Sequence, residues 1–122
     1  MQERPTPEQE LELIENSINA HKQNVAIGEA LQRLLRNRDF KRVIMEHYLR
    51  DEAVRAVKLM AAPECQNPTQ QEALQKIIIG IGQLDQFLRV TLQIADRAQL
   101  AIQDDEAAYA EIAAEINTGD NN

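Results

Sequence analysis

The chain has 122 residues, one domain's worth, with 20 acids against 13 bases and a formal net charge of −7, which excludes a uniformly basic protein that wraps nucleic acid by releasing counterions from phosphate. Two Phe, two Tyr and no Trp leave few platforms for stacking on bases, and a single Cys excludes an internal disulfide framework or a multi-cysteine zinc site. Sixteen Ala with four Gly and one Ser describe a helical protein with thin seams; no run reaches the ~20 apolar residues of a membrane span, and Met1–Pro5 carries no apolar stretch of a signal peptide.

Thr6-Pro7-Glu8-Gln9 opens the first helix: the Thr hydroxyl can cap a free amide, Pro suits the first helical position and Gln9 can reach back as a capping box. Leu11, Ile14, Ile18 and Val25, then Ile27, Leu31, Leu34 and Leu35, recur at helical spacing, which predicts a helix over 7–36. Arg36-Asn37-Arg38-Asp39 reads as its end and as the cap of the next, whose apolar face is Phe40, Val43, Ile44 and Tyr48. This second helix runs over 40–61, either unbroken or restarted near residue 50 by Arg50-Asp51-Glu52; the residues leave both open. Pro63 and Pro68 bracket a tight loop, and Asn67-Pro68-Thr69-Gln70 repeats the capping pattern of the chain's start.

From Leu74, steps of three and four meet Ile77, Ile81, Leu84, Leu88, Thr91, Ala95, Ala98, Ile102, Asp105, Tyr109, Ile112 and Ile116, a heptad seam interrupted only at Thr91 and Asp105. This predicts one helix over 68–116, roughly 70 Å long at about 1.5 Å per residue. Between Ile77 and Ile94 a second apolar set (Ile78, Ile79, Phe87, Val90, Leu92, Ile94) makes the helix hydrophobic nearly all round, so the core is expected there, centred on Leu84 and Leu88 and buried from more than one side. The expected fold is all-α: an elongated helical bundle or hairpin, one domain, with a compact head and a coiled-coil-like stalk formed by the N- and C-terminal helices, and flexible ends at 1–5 and 117–122. Against the stalk, residues 1–20 carry five acids and one Arg, and residues 103–122 six acids and no base; such surface repulsion is worth tenths of a kcal/mol per pair, which packing of Leu11, Ile14 and Ile18 can overcome, and the alternative is that one or both ends pair with another chain.

Catalytic inventory is thin. Ser17 is the only serine, with no histidine or acid arrangement readable around it. His21 lies near the first helix's seam and His47 between Glu46 and Tyr48; a His so placed is more often a packing residue than a ligand, and neither follows a Glu at the Glu-x-x-His spacing of di-iron bundles. Asp104-Asp105-Glu106 lacks the alternating ligands and central Gly of a calcium loop, and Gly80-Ile81-Gly82 lacks the Lys-Ser/Thr of a phosphate loop. Two glycines inside a helix cost about 2 kcal/mol, and a close helix crossing at Gly80 and Gly82 is the expected compensation. Cys65 reads as a free thiol. No residue set asks for a metal or cofactor, and no enzyme activity is expected.

Charge carries the functional content. From Arg33 to Lys58 eight bases face four acids, and the rest of the chain holds five bases and 16 acids. The two ends are thus expected to face different partners. Candidate partner-binding residues are Arg33, Arg36, Arg38, Lys41 and Arg42 on one side and Asp104, Asp105 and Glu106 on the other; the seam residues Leu84, Leu88, Ile102, Tyr109, Ile112 and Ile116 are the expected packing and association surface. Direct binding of nucleic acid is not expected.

At Leu34-Leu35-Arg36-Asn37-Arg38-Asp39-Phe40-Lys41-Arg42-Val43-Ile44, followed by Tyr48 and Glu52-Ala53-Val54-Arg55, the chain resembles small helical accessory proteins encoded by tailed bacteriophages, a likeness that extends through Ile81–Leu88 to Asp104-Asp105-Glu106. The resemblance implies an accessory protein of virion structure or assembly, in the infected host's cytoplasm or in the virion; that it works through protein partners, as a homo-oligomer or within a larger assembly, is expected from the seam, whose roughly six heptads exceed what a first helix of about 30 residues can cover. The resemblance attaches no functional residue. The alternative in a different class is a small acidic inhibitor of a host or defence nucleoprotein, its carboxylates imitating a phosphate backbone.

Overall fold

A computed structural model describes residues 3–120 of the chain. The described residues are helical with short connections: α1 over Pro7–Arg36, α2 over Arg38–Phe40, a π-helix over Lys41–Glu52, α3 over Ala53–Ala61, a 3-10 turn over Pro63–Cys65 and α4 over Pro68–Asp120. None of these helices is long and apolar enough to cross a membrane. Residues 117–120, expected to be flexible, continue α4; of the other expected flexible residues, 1, 2, 121 and 122 lie outside the described residues.

The starts and stops follow from local chemistry. At α1 the Gln9 amide N–H donates to Thr6 Oγ1 at 3.1 Å and the Thr6 N–H donates to Gln9 Oε1 at 2.9 Å, a reciprocal capping box that satisfies two otherwise free donors. Asn37, in extended conformation, breaks the chain after Arg36, and its Oδ1 accepts the Phe40 N–H at 2.9 Å, starting the next helix. That helix runs without a gap from Arg38 to Ala61 but winds widely in its middle. Ala62, held extended before Pro63, ends it. The carbonyls freed there are taken by side-chain amides: Gln66 Nε2 donates to Met60 and Ala62, and Gln71 Nε2 to Met60 and Cys65. Asn67 Oδ1 then caps α4 by accepting the Gln70 N–H at 2.8 Å.

The chain divides into two compact units. Unit 1 comprises Met1–Glu29 and Gln93–Asn122, and pairs α1 with the second half of α4. Contacts run from Gly28 with Ala95, through Ser17 with Asp105, to Glu15 with Tyr109, so residue numbers fall along α4 as they rise along α1 and the helices are antiparallel. Ala95, Ala98 and Ile102 are buried in this seam. At Gly28 the two helices approach closely: a Cβ added there would collide with the Cβ of Ala95 and lie 3.7 Å from its Cα.

Unit 2, Ala30–Leu92, holds the end of α1, the helical run from Arg38 to Ala61 and the start of α4. Leu31, Ala56, Leu74 and Ile81 are its buried apolar residues, with Ala56 at 0% exposure. Along the π-helix, half-buried pairs recur every four residues, Ile44 with Met45, Tyr48 with Leu49 and Glu52 with Ala53. A period of four exceeds the 3.6 of an α-helix, and the wider π turn keeps such a stripe on one face. Val43, expected on that face, is instead exposed, and Met45 takes its place.

Every position of the expected seam on α4 is buried or half-buried. The expected all-round core is not found: Leu84 and Leu88 are only half-buried, while Ile79 and Phe87 are 59% and 65% exposed, and Val90 and Ile94 are also exposed. Helices cover α4 along one stripe, and among the described residues none buries the side that carries Ile79, Phe87, Val90 and Ile94. Gly80 and Gly82 mark no close crossing either: a Cβ at Gly80 would meet only the Tyr48 hydroxyl at 3.8 Å, and one at Gly82 nothing within 4 Å.

Candidate functional site

The capped turn at Asn37 gathers Arg33, Arg36, Arg38, Lys41 and Arg42 within ten residues, all exposed. Arg33 and Arg36 lie in the last turn of α1, where cations complement the negative end of the helix dipole. Arg38, Lys41 and Arg42 lie in the first turns of the following helical run, where the dipole disfavours positive charge. Among the described residues none of the five takes part in an ion pair. Two other cations of this segment are neutralised nearby: Arg50 Nε donates to Asp51 at 3.0 Å, and Arg55 makes a two-pronged contact with Glu52, Nε to Oε2 at 2.9 Å. These hydrogen bonds raise both guanidinium pKa values, and Arg55 holds the Glu52 carboxyl below its ordinary range. Unit 2 carries ten bases against seven acids, a formal +3, and its unpaired share is concentrated around Asn37. Leu34 and Val43, both exposed, lie among these cations.

Unit 1 carries thirteen acids against three bases, a formal −10. Its expected acidic trio does not act as one surface. Successive helical residues point about 100° apart, so Asp104 and Glu106 are exposed while Asp105 turns into the seam. There its Oδ2 accepts the Ser17 hydroxyl at 2.7 Å and lies 3.9 Å from His21 Nε2. Serine, histidine and aspartate thus meet, with the hydroxyl donating to the carboxylate rather than to the imidazole. The cluster pins the register of an apolar seam with a satisfied polar group. Thr91, the other interruption of the heptad pattern, donates its hydroxyl to the Phe87 carbonyl at 2.7 Å within its own helix.

The remaining seam residues of the candidate set divide between the units. Ile102 is buried, at 8% exposure, and Tyr109, Ile112 and Ile116 are half-buried in unit 1, whereas Leu84 and Leu88 belong to unit 2. Tyr109 also donates its hydroxyl to Glu15 Oε1 at 3.1 Å, and that hydrogen bond together with the carboxylate's charge raises the phenol's pKa. An open groove of about 350 Å³ beside it is lined by Glu15, Ile18, Asn19, Lys22, Glu106 and Tyr109. Among the described residues there is no buried polar side-chain atom without a partner, and no cluster of three or more His, Cys, Asp or Glu able to hold a metal ion.

Sequence reasoning missed Gly28 and the Ser17–Asp105 contact. The signal for the second was the i, i+4 spacing of Ser17 and His21, which puts both on the seam face opposite an acid. Comparisons of the chain with family models, with curated proteins and with solved structures found no match.

Proposed function

We propose that the chain is a non-enzymatic structural or assembly protein that acts through helical protein–protein contacts, of the kind its resemblance to accessory proteins of tailed phages implies. The observation that carries this reading is the number of large apolar side chains left uncovered in unit 2: Ile79, Phe87 and Val90 on α4 and Val54 and Val57 on α3 are exposed. Surface of this kind usually marks a contact with another macromolecule. Each of these residues could have been polar without disturbing the buried set of Leu31, Ala56, Leu74 and Ile81. The second reading, a small acidic inhibitor of a host or defence nucleoprotein, draws on the −10 charge of unit 1.

Mass spectrometry of purified virions, set beside a pull-down from host lysate, separates the two. Stoichiometric recovery in virions supports the assembly reading. Recovery only with a nucleic-acid-binding host protein, released by competing nucleic acid, supports the inhibitor.

A further inference from the structure

We infer that the partner of the basic cluster around Asn37 is the acidic unit 1 of a second copy of this chain; this rests on the assembly reading and names its partner. Three observations carry it. The first is that neither surface is balanced within its own unit. Arg38, Lys41 and Arg42 stand in the first turns of a helical run against the dipole, with no ion pair among the described residues. Unit 1 lays two helices side by side with thirteen acids to three bases, a self-repelling arrangement.

The second is that the charges are opposite in sign and can offset each other, +3 against −10. The third decides between a protein partner and a nucleic acid. The cations surround exposed apolar side chains, Leu34 and Val43. Unit 1 offers the same mixture with opposite charge: Leu100, 62% exposed, has Asp96 and Asp104 four residues to either side on its face of α4, and exposed Leu13 follows Glu10 and Glu12 on α1. A phosphate backbone would answer the charges and leave Leu34 and Val43 bare; an acidic helix pair answers both. The contact joins two different surfaces, so copies can close as a reciprocal pair or a ring, or extend as an open chain.

The test uses the full chain in two forms. One carries Arg36→Glu, Arg38→Glu and Arg42→Glu, the other Asp96→Lys and Asp104→Lys; all five positions are exposed, and circular dichroism checks that helix content is kept. A milder pair, with Gln at the three arginines and Asn at the two aspartates, replaces any form that loses it. Sedimentation velocity should show wild-type mass rising with concentration and falling with salt, each variant alone weakened roughly tenfold or more in self-association, and an equimolar mixture of the two regaining association, through the unchanged pair of surfaces and through the swapped pair of opposite charge; the neutral Gln and Asn forms, mixed, should stop at a one-to-one dimer. That last result is specific, because each variant retains the surface the other has lost. Variants that associate like wild type would overturn the inference while leaving assembly through the apolar surface standing. A mixture that stays monomeric, a wild type that is monomeric throughout, or a wild type that binds a DNA or RNA duplex through the three arginines without changing its own mass would each overturn it, and the virion measurement would still decide the assembly reading.

Discussion

Unit 1 and unit 2 both bury one stripe of the same helix, α4, but with side chains of different size. In unit 1 its inward residues are small, Ala95 and Ala98, and α1 approaches closely enough to require glycine at position 28, so a narrow stripe is buried well: Ala98 is 3% exposed. In unit 2 its residues are larger, Ile79, Leu84, Phe87, Leu88 and Val90, yet the best covered of these five are only half-buried. Apolar content alone therefore does not set burial along α4: in unit 2 Leu74 and Ile81 are buried, at 7% and 5% exposure, while Phe87 on the same helix is 65% exposed. Close packing depends on a complementary partner face, which Gly28 and the alanines provide and a broad apolar surface does not.

The largest expected effect comes from placing a carboxylate in each seam. Ile102→Asp should cost about 3 kcal/mol or more, since the charge is buried without a donor, whereas Leu88→Asp, which can turn toward solvent, should cost about half as much. Urea denaturation of the two variants measures this; the reverse order would place the better-packed seam in unit 2.

Glycine substitutions give the next contrast. Gly28→Ala should destabilise by about 1–3 kcal/mol, because the new methyl collides with Ala95 and the helices must separate. Gly80→Ala and Gly82→Ala should each stabilise by roughly 0.5–1 kcal/mol, since space is free and helix propensity improves. Melting temperatures moving in opposite directions would establish the difference.

Smaller still is the polar pin. Ser17→Ala should cost about 1 kcal/mol by leaving Asp105 without its hydroxyl donor, while Ser17→Ala combined with Asp105→Leu should come out near neutral, the seam having become apolar throughout. A double-mutant cycle in urea reads the coupling directly.

The smallest effect is on the alkaline side. In the folded chain the Tyr109 phenol is raised above 10.0, so the folded state holds that proton more tightly than the unfolded one. Its contribution is fully present below the unfolded value and is lost as pH rises through the folded value. The urea midpoint of wild type should therefore fall slightly more than that of Tyr109→Phe between about pH 9 and about pH 11; equal falls would mean that Glu15 does not hold the proton.

Much of this architecture is legible in the sequence, because capping and heptad spacing are local or periodic. Thr6 with Gln9, and Asn67 with Gln70, announce both long helices, and the inward stripe of α4 follows steps of three and four. Three features are not legible, each for a physical reason. The π-helix hides because a period of four in Ile44, Tyr48 and Glu52 looks like an imperfect α-helical stripe, which misplaces Val43. Coverage is not encoded in apolarity, so Phe87 reads as core although no helix lies over it. Gly28 and Asp105 depend on partners 67 and 88 residues away in the chain, and their meaning exists only once α1 lies beside α4. Of the candidate site, the charge segregation is visible from residue types alone; that Arg38, Lys41 and Arg42 lack ion pairs among the described residues, and that Asp105 turns inward, are not.

The most direct measurement is sedimentation velocity of the wild-type chain over a wide range of concentration at low and at high salt. Uncovered apolar surface flanked by unbalanced charge should give a mass that rises with concentration in both, more weakly at high salt but not abolished, because the apolar contacts are insensitive to screening. A monomer at every concentration and both salts would contradict self-assembly as the use to which these surfaces are put.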